Sequence, residues 1–169
     1  MEKRRILKKG KFITTRKGKF VLDLSGKIVR NLKPHCKKIE VVGSIRRKEK
    51  NPVDIDIVLI PKGKEKKEII EKSLRKKGKF LQGGEHKSRW RIEGVNVELY
   101  YTIEDSWGAT LLAYSSKFGA GIGLRVVARR KGFKLNQYGL FKGKKKIAGR
   151  TEEQIYHALG RKWKAPEER

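Results

Sequence analysis

Acidic residues are scarce in this 169-residue chain: 18 Asp and Glu stand against 45 Lys and Arg, for a formal net charge of +27. Self-repulsion on that scale calls for a polyanionic partner, and nucleic acid matches best. A merely solvated basic surface is the alternative, and an anionic membrane matches less well. Cysteine is limited to Cys36, which excludes an intrachain disulfide. The three histidines, His35, His86 and His157, are too dispersed to point to a zinc site of about four ligands. Long apolar runs are missing, and M-E-K-R-R-I-L-K-K-G-K-F at the start lacks the apolar stretch of a signal peptide. A soluble intracellular protein is the expectation. Internal repeats and long linkers are also missing, so the length suits one domain or two small lobes.

What is present concentrates between residues 42 and 62, V-V-G-S-I-R-R-K-E-K-N-P-V-D-I-D-I-V-L-I-P. A Gly-Ser turn and two arginines lead into a strand pattern carrying Asp54 and Asp56. Side chains two apart on a strand share a face, so both carboxylates project together while Ile55, Ile57 and Leu59 point the other way. Adjacent like charges are unfavourable unless a positive group lies between them, and Asp oxygens suit Mg²⁺. The Gly-Ser turn can present backbone N–H groups to an anion. Metal-binding carboxylates beside a phosphate-binding turn suggest phosphoryl or nucleotidyl transfer. A third carboxylate is expected from a neighbouring strand, and G-V-N-V-E-L-Y-Y offers Glu98 between Val97 and Leu99. The competing reading of Glu98 is an exposed strand glutamate paired with one of the many lysines.

Residues 1 to 20 alternate basic and apolar residues, with breaks at Gly10 and Gly18, and fit either a basic hairpin or a loose arm. A short helix is predicted over 22–33, ended by Pro34, with strands at 38–43 and 55–61 and an amphipathic helix over 65–76. Strand-like runs follow at 79–82, 87–92 and 95–101, separated by Gly83-Gly84 and Glu93-Gly94. Beyond Tyr101 the pattern turns helical, around E-D-S-W-G-A-T-L-L-A and again over 118–131. A hairpin of 134–141 with 144–148 is predicted across Lys142-Gly143. Thr151-Glu-Glu-Gln154 is a capping pattern for a last short helix ending at Gly160. The outline is an α+β lobe to about residue 103 and a smaller mixed lobe after it.

Several blocks in order carry a family resemblance. G-S-I-R-R-(x)5-V-D-I-D-I resembles the catalytic signature of family X DNA polymerases, the polymerase beta-like nucleotidyltransferases. W-G-A-T-L-L-A-Y-S-S-K (107–117) is similar to the family's W-G-x-x-L-L-Y-F-T-G-S. L-R-V-V-A-R-R-K-G-F-K-L-N-Q-Y-G-L-F (124–141) is similar to its L-R-x-x-A-x-x-K-G-x-x-L-N-E-Y-G-L-F. T-E-E-Q-I-Y-H-A-L-G and A-P-E-E-R resemble the family's C-terminal end, so the likeness covers about residues 35–169.

The resemblance implies an α+β fold. A nucleotidyltransferase palm with a mixed sheet and flanking helices would span residues 1–103, including the basic N-terminal arm. A small α+β subdomain for nucleotide and template would span 104–169. It implies that Asp54 and Asp56 hold two Mg²⁺ ions, with Mn²⁺ as a substitute, and that Glu98 takes the place of the third acid. That acid is normally Asp, so Glu98 is a departure that bears on rate. Ser44 and Arg47 match groups holding the triphosphate, with the backbone at Gly43 and Val53. Ala113-Tyr114-Ser115-Ser116 stands where Tyr-Phe-Thr-Gly is usual, beside the incoming sugar. Gly121 falls where an asparagine is common near the base, and Phe118 falls near the base or belongs to a helix core.

Arg125 matches the arginine that reaches the template strand, and Asn136, Gln137 and Tyr138 match a stretch close to the template. Arg129, Arg130 and Lys131 are candidate phosphate contacts, with Lys3, Arg4, Arg5, Lys8, Lys9 and Lys11. Gly119-x-Gly121-x-Gly123 lacks the preceding strand and spacing of a dinucleotide fingerprint, and the ungapped likeness argues against a helix-hairpin-helix clamp there. The chain has no room for the lyase and helix-hairpin-helix parts of larger members and looks like a minimal version. The implied activity is template-directed, gap-filling DNA synthesis for repair by a monomer acting on gapped or primer-template DNA and dNTP, without a membrane. The implied place is cytoplasm or nucleoid, or the nucleus or a viral factory. Alternatives are template-independent nucleotidyl transfer to nucleic-acid ends and a nucleic-acid-binding protein on a decayed scaffold.

Overall fold

The computed structural model describes residues 3–169, the side chains of Phe118 and Gly119 aside. The chain divides into two compact units, Met1–Tyr101 and Thr102–Arg169.

The first unit opens with an antiparallel hairpin, β1 (Lys3–Lys8) and β2 (Lys11–Arg16), turned at Lys9-Gly10 with both residues at positive φ. The basic N-terminal stretch is thus a hairpin and not a loose arm. Helix α1 (Gly18–Leu32) begins earlier than its sequence pattern suggested and places Val21, Leu24, Ile28 and Leu32 on one buried stripe. Pro34 follows in a 3-10 turn, since it cannot continue the helix.

Strand β3 (Cys36–Val42) leads into the four-residue helix α2 (Gly43–Arg46), then β4 (Ile55–Pro61), helix α3 (Lys64–Arg75), β5 (Gly78–Gly83), β6 (Lys87–Ile92) and β7 (Val95–Tyr101). The five strands form one mixed sheet in the order β3-β4-β7-β6-β5, in which only β4 and β7 run parallel. That parallel pair is possible because the α3–β5–β6 excursion supplies the long crossover it needs.

Alternation along the strands divides the sheet into two faces. Ile55, Ile57 and Leu59 of β4, Val97 and Leu99 of β7, and Trp90 and Ile92 of β6 share one core with the stripes of α1 and α3. Even-numbered positions of β4 and β7 and odd-numbered positions of β6 project from the other face: Asp56, Glu98, Lys87 and Arg89. A buried polar chain closes one edge of the core. Trp90 donates to Ser88 Oγ (2.9 Å), which lies 3.0 Å from the Tyr101 hydroxyl, and Tyr101 donates to Glu71 (2.9 Å).

The second unit contains helices α4 (Trp107–Ser115) and α5 (Phe118–Arg130), strands β8 (Lys134–Asn136), β9 (Gly139–Lys142) and β10 (Lys145–Ala148), and helix α6 (Glu152–Ala158). The predicted single strand over 134–141 is two strands with a turn at Gln137-Tyr138, and β8, β9 and β10 form an antiparallel meander. Its core joins Ala109, Leu112, Ala128, Leu140, Ile155 and Leu159. Gly108 allows the start of α4 to touch the start of α6, because a Cβ there would fall 2.2 Å from the Thr151 backbone. Thr151 caps α6 by accepting from Gln154 N (3.1 Å), as its pattern predicted, and Gly160 follows at φ 66°.

Candidate active site

The acidic cluster begins with register. Asp56 of β4 lies directly opposite Glu98 of β7 across the parallel ladder, and Glu98 lies opposite Arg89 of β6 across the antiparallel one. Asp56, Glu98 and Arg89 therefore form a row on the sheet face opposite the α1–α3 core. Asp54 sits at a bend just before β4 and not within it, so strand alternation does not set its direction. It still lies close enough to add to the negative potential at Asp56.

Gly43 closes the site from the β3 side. Its φ is 64°, and a Cβ there would sit 2.4 Å from Asp56 Oδ2. Glycine is needed for both reasons: the backbone conformation and the close approach to the carboxylate. Ser44 and Arg47 follow in and just after α2, and Arg47 pairs with Glu49 at 2.8 Å. Val53 is half-buried in the segment leading to Asp54.

The carboxylates meet cations of the chain itself. Lys8 of the hairpin is ion-paired with Asp54 Oδ2. Glu98 receives Lys87 (2.6 Å) and Arg89 (2.8 Å), and the Tyr100 hydroxyl donates to it at 2.5 Å. The same hydroxyl lies 3.4 Å from Asp56 Oδ1. Burial pushes Glu98 upward, but the hydrogen bonds from Lys87 and Tyr100 and the charges of Lys87 and Arg89 outweigh it and hold the carboxyl below its usual range. Asp56 goes the other way. Burial first, then the charges of Glu98 and Asp54, push it up to about 6. The charge of Lys87 and the hydrogen bond from Tyr100 offset this only in part.

The donor chemistry fits a hard divalent cation at Asp54 and Asp56, whose oxygens are the ligand type Mg²⁺ takes. Among the described residues no group of three His, Cys, Asp or Glu is arranged to close on one ion. Glu98 explains this: it is in the right register, but its oxygens are turned to Lys87, Arg89 and Tyr100. Sequence reasoning placed Glu98 beside the pair and gave a lysine ion pair as its competing reading, which the Lys87 contact matches, but it named none of Lys87, Arg89, Tyr100 and Lys8. The alternation of Lys87, Arg89 and Arg91 with Ser88, Trp90 and Ile92 was the available signal for the first two. Lys8 had none, because its partner is 46 positions away.

In the second unit the structure gathers part of the sequence-derived set. Ala113, Ser116, Gly121, Arg125 and Asn136 line one small cavity with Leu112 and Leu135. Its volume of about 30 Å³ holds roughly one or two waters, not a nucleobase. Ser115 is fully buried and Tyr114 half-buried on α4. The Asn136 side chain accepts from Tyr138 N (2.9 Å) and so shapes its own turn. Gln137 and Tyr138 are tied to α4 and the 3-10 turn before it through their carbonyls, which accept from Thr110 and Ser106 at 2.9 and 2.8 Å. Arg125, Arg129, Arg130 and Lys131 are exposed on or just after α5. The Phe118 side chain lies outside the described residues.

Comparison with known proteins adds to this geometry. Residues 122–169 match the family described as DNA polymerase beta thumb. Over 142 residues the chain is 28% identical to proteins named Repair DNA polymerase X from African swine fever virus, among them those of a Kenyan pig isolate, the Badajoz strain and a South African tick isolate. Each alignment covers 79% of this chain and 82% of the viral protein. With ordered motifs along the chain, a thumb match at its end and relatives spanning most of its length, the chain is similar to family X DNA polymerases.

Proposed function

We propose that this chain is a family X repair polymerase that fills short gaps in DNA by template-directed addition of dNMP to a primer 3′-hydroxyl, using two Mg²⁺ ions. The observation that carries this reading is the Asp56–Glu98 register flanked by Asp54, with the Asp56 carboxyl pushed up to about 6. Asp54 and Asp56 would hold the ions, and Glu98 would join them by leaving Lys87 and Arg89. When bound, such ions neutralise charge at the α-phosphate and lower the pKa of the attacking hydroxyl.

The remaining work belongs to the chain's own groups. Ser44 and Arg47 contact the triphosphate, Arg47 exchanging Glu49 for phosphate, with the backbone at Gly43 and Val53 alongside. Gly43 leaves Asp56 room to face the phosphates. Tyr100 holds the Glu98 and Asp56 carboxyls against each other. Residues 1–103 act as the palm. Residues 104–169 bind nucleotide through Ala113, Tyr114, Ser115, Ser116, Phe118 and Gly121, and template through Arg125, Asn136, Gln137 and Tyr138. Arg129, Arg130 and Lys131 meet backbone phosphates. The protein works as a monomer inside the cell; among the described residues no helix is long and apolar enough to cross a membrane.

Primer extension on gapped, open-template and template-free DNA tests the reading. Extension that follows the template and stops at the gap end is expected. Template-free addition would favour a terminal nucleotidyltransferase, and no incorporation with intact DNA binding would favour a decayed scaffold.

A further inference from the structure

The N-terminal hairpin is docked onto the palm by specific groups, and one of its lysines ends in the acidic cluster. Alternation along β1 puts Arg4, Ile6 and Lys8 on one side and Lys3, Arg5 and Leu7 on the other. The first side follows the segment leading to Asp54. Arg4 donates to the carbonyls of Asn51 (2.8 Å) and Pro52 (3.1 Å), and Lys8 reaches Asp54. The base of the hairpin is anchored separately: Arg16 donates to the Glu93 carbonyl (2.9 Å), and its guanidinium lies over the Phe20 ring at 4.6 Å. The other side stays in solvent, with Leu7 63% and Phe12 64% exposed. The hairpin is therefore held so that Lys8 Nζ meets one carboxylate oxygen of the site.

We propose that Lys8 is an exchangeable counter-ion of the nucleotide site: it neutralises Asp54 when no divalent cation is bound, yields that oxygen to the cation, and then contacts the phosphates of the incoming nucleotide. The inference rests on the metal-site reading of Asp54. A cation at Asp54 competes with the ammonium for the same oxygen, and the two positive charges repel each other. The displaced lysine stays within reach because Arg4 and Arg16 hold the hairpin. A triphosphate is the anion that arrives with the metal, and an ammonium is a compact donor suited to it. Lys8 is then a positioning residue for metal and a contact for nucleotide. In β6, by contrast, Lys87 and Arg89 share their carboxylate with each other and with Tyr100.

The test separates metal from nucleotide and needs no turnover. Mn²⁺ affinity is measured by electron paramagnetic resonance on the full chain without DNA or nucleotide, for wild type, Lys8→Met, Lys8→Arg, Lys3→Met and Asp54→Ala. A non-hydrolysable dNTP analogue is then titrated at saturating Mn²⁺. Lys8→Met is expected to bind Mn²⁺ about two- to fivefold more tightly, the scale of an exposed ion pair, and the analogue more weakly by a similar factor. Lys8→Arg is expected to stay near wild type in both.

Lys3→Met removes the same charge from the solvent side of the hairpin and is expected to leave both affinities unchanged. Equal shifts in Lys3→Met and Lys8→Met would overturn the proposal in favour of general electrostatics. Unchanged Mn²⁺ or analogue affinity in Lys8→Met would overturn it outright. Asp54→Ala distinguishes the two levels: if it binds Mn²⁺ like wild type, the metal-site reading itself has failed. If it loses Mn²⁺ while Lys8→Met matches wild type, only the role of Lys8 has.

Discussion

The two units use charge in opposite ways. In the first, two acids of the candidate site are ion-paired with cations of the chain, Lys8 on Asp54 and Lys87 and Arg89 on Glu98, while Asp56 feels Lys87 only as a weaker, offsetting charge. In the second, the positive charge of α5 faces solvent at Arg125, Arg129 and Arg130. A sheet can hold carboxylates close together because its ladders set their spacing, and the resulting repulsion must be offset locally. An exposed helix face can spread like charges apart, so they remain available to an external polyanion. The difference teaches that the acidic cluster of the first unit is balanced locally by the chain's own cations while the α5 cations are left to solvent, and the two should respond to different perturbations.

The sharpest break between them should come from the aspartates. Asp54→Ala or Asp56→Ala is expected to lower incorporation by at least about a thousandfold, as loss of a group acting within a catalytic unit does, with DNA affinity nearly unchanged in a binding titration. A variant extending primers at near wild-type rate would sink the assignment.

Salt should act on the other side of the comparison. Neutralising about five phosphates gives a slope near −4 to −5 in log affinity against log salt on duplex DNA. Replacing Arg129, Arg130 and Lys131 together by alanine should reduce the slope by about 2 to 3, whereas Asp54→Ala should not. A flat wild-type response would mean that the surplus charge never meets DNA.

Glu98 sharpens the contrast within the first unit. If it leaves Lys87 and Arg89 for metal, Glu98→Gln should slow the single-turnover rate by about 10- to 100-fold, and Glu98→Asp should retain activity. An unchanged Glu98→Gln rate would make Glu98 an anchor for β6 and nothing more.

The smallest effect concerns stability without metal. The Asp56 carboxyl is pushed up to about 6 in the folded protein, against roughly 4 in an unfolded chain. Between those values the folded form binds more protons, so stability falls as pH rises and the full cost is present above about pH 6. Asp56→Asn removes this cost. Denaturant titrations with chelator at pH 7.5 should show a gain of about 1 to 2 kcal/mol, reduced by partial exposure, that disappears below about pH 4. A gain that persists unchanged at low pH would mean that charge is not its cause.

Much of this was legible in the chain because it is local. The periodicities of α1 and α3, the strands around Asp56 and Glu98, and the Thr151 cap depend on residues a few positions apart. So did the glycine at Gly43, whose turn precedes the acids. The β8–β9 turn was missed because Asn136, with a side chain that builds it, reads equally well as a strand residue.

The sequence by itself determined which residue types are available: the aspartates, Glu98, the cationic excess, and the apolar alternation that forces one sheet face into a core. Only the tertiary structure decided which charges meet. The β4–β7 register put Glu98 opposite Asp56, the β6–β7 register brought Arg89 to Glu98, and the docked hairpin delivered Lys8 to Asp54 across 46 positions. Coulomb energy depends on distance in space, and strand pairing over long loops is what sets that distance.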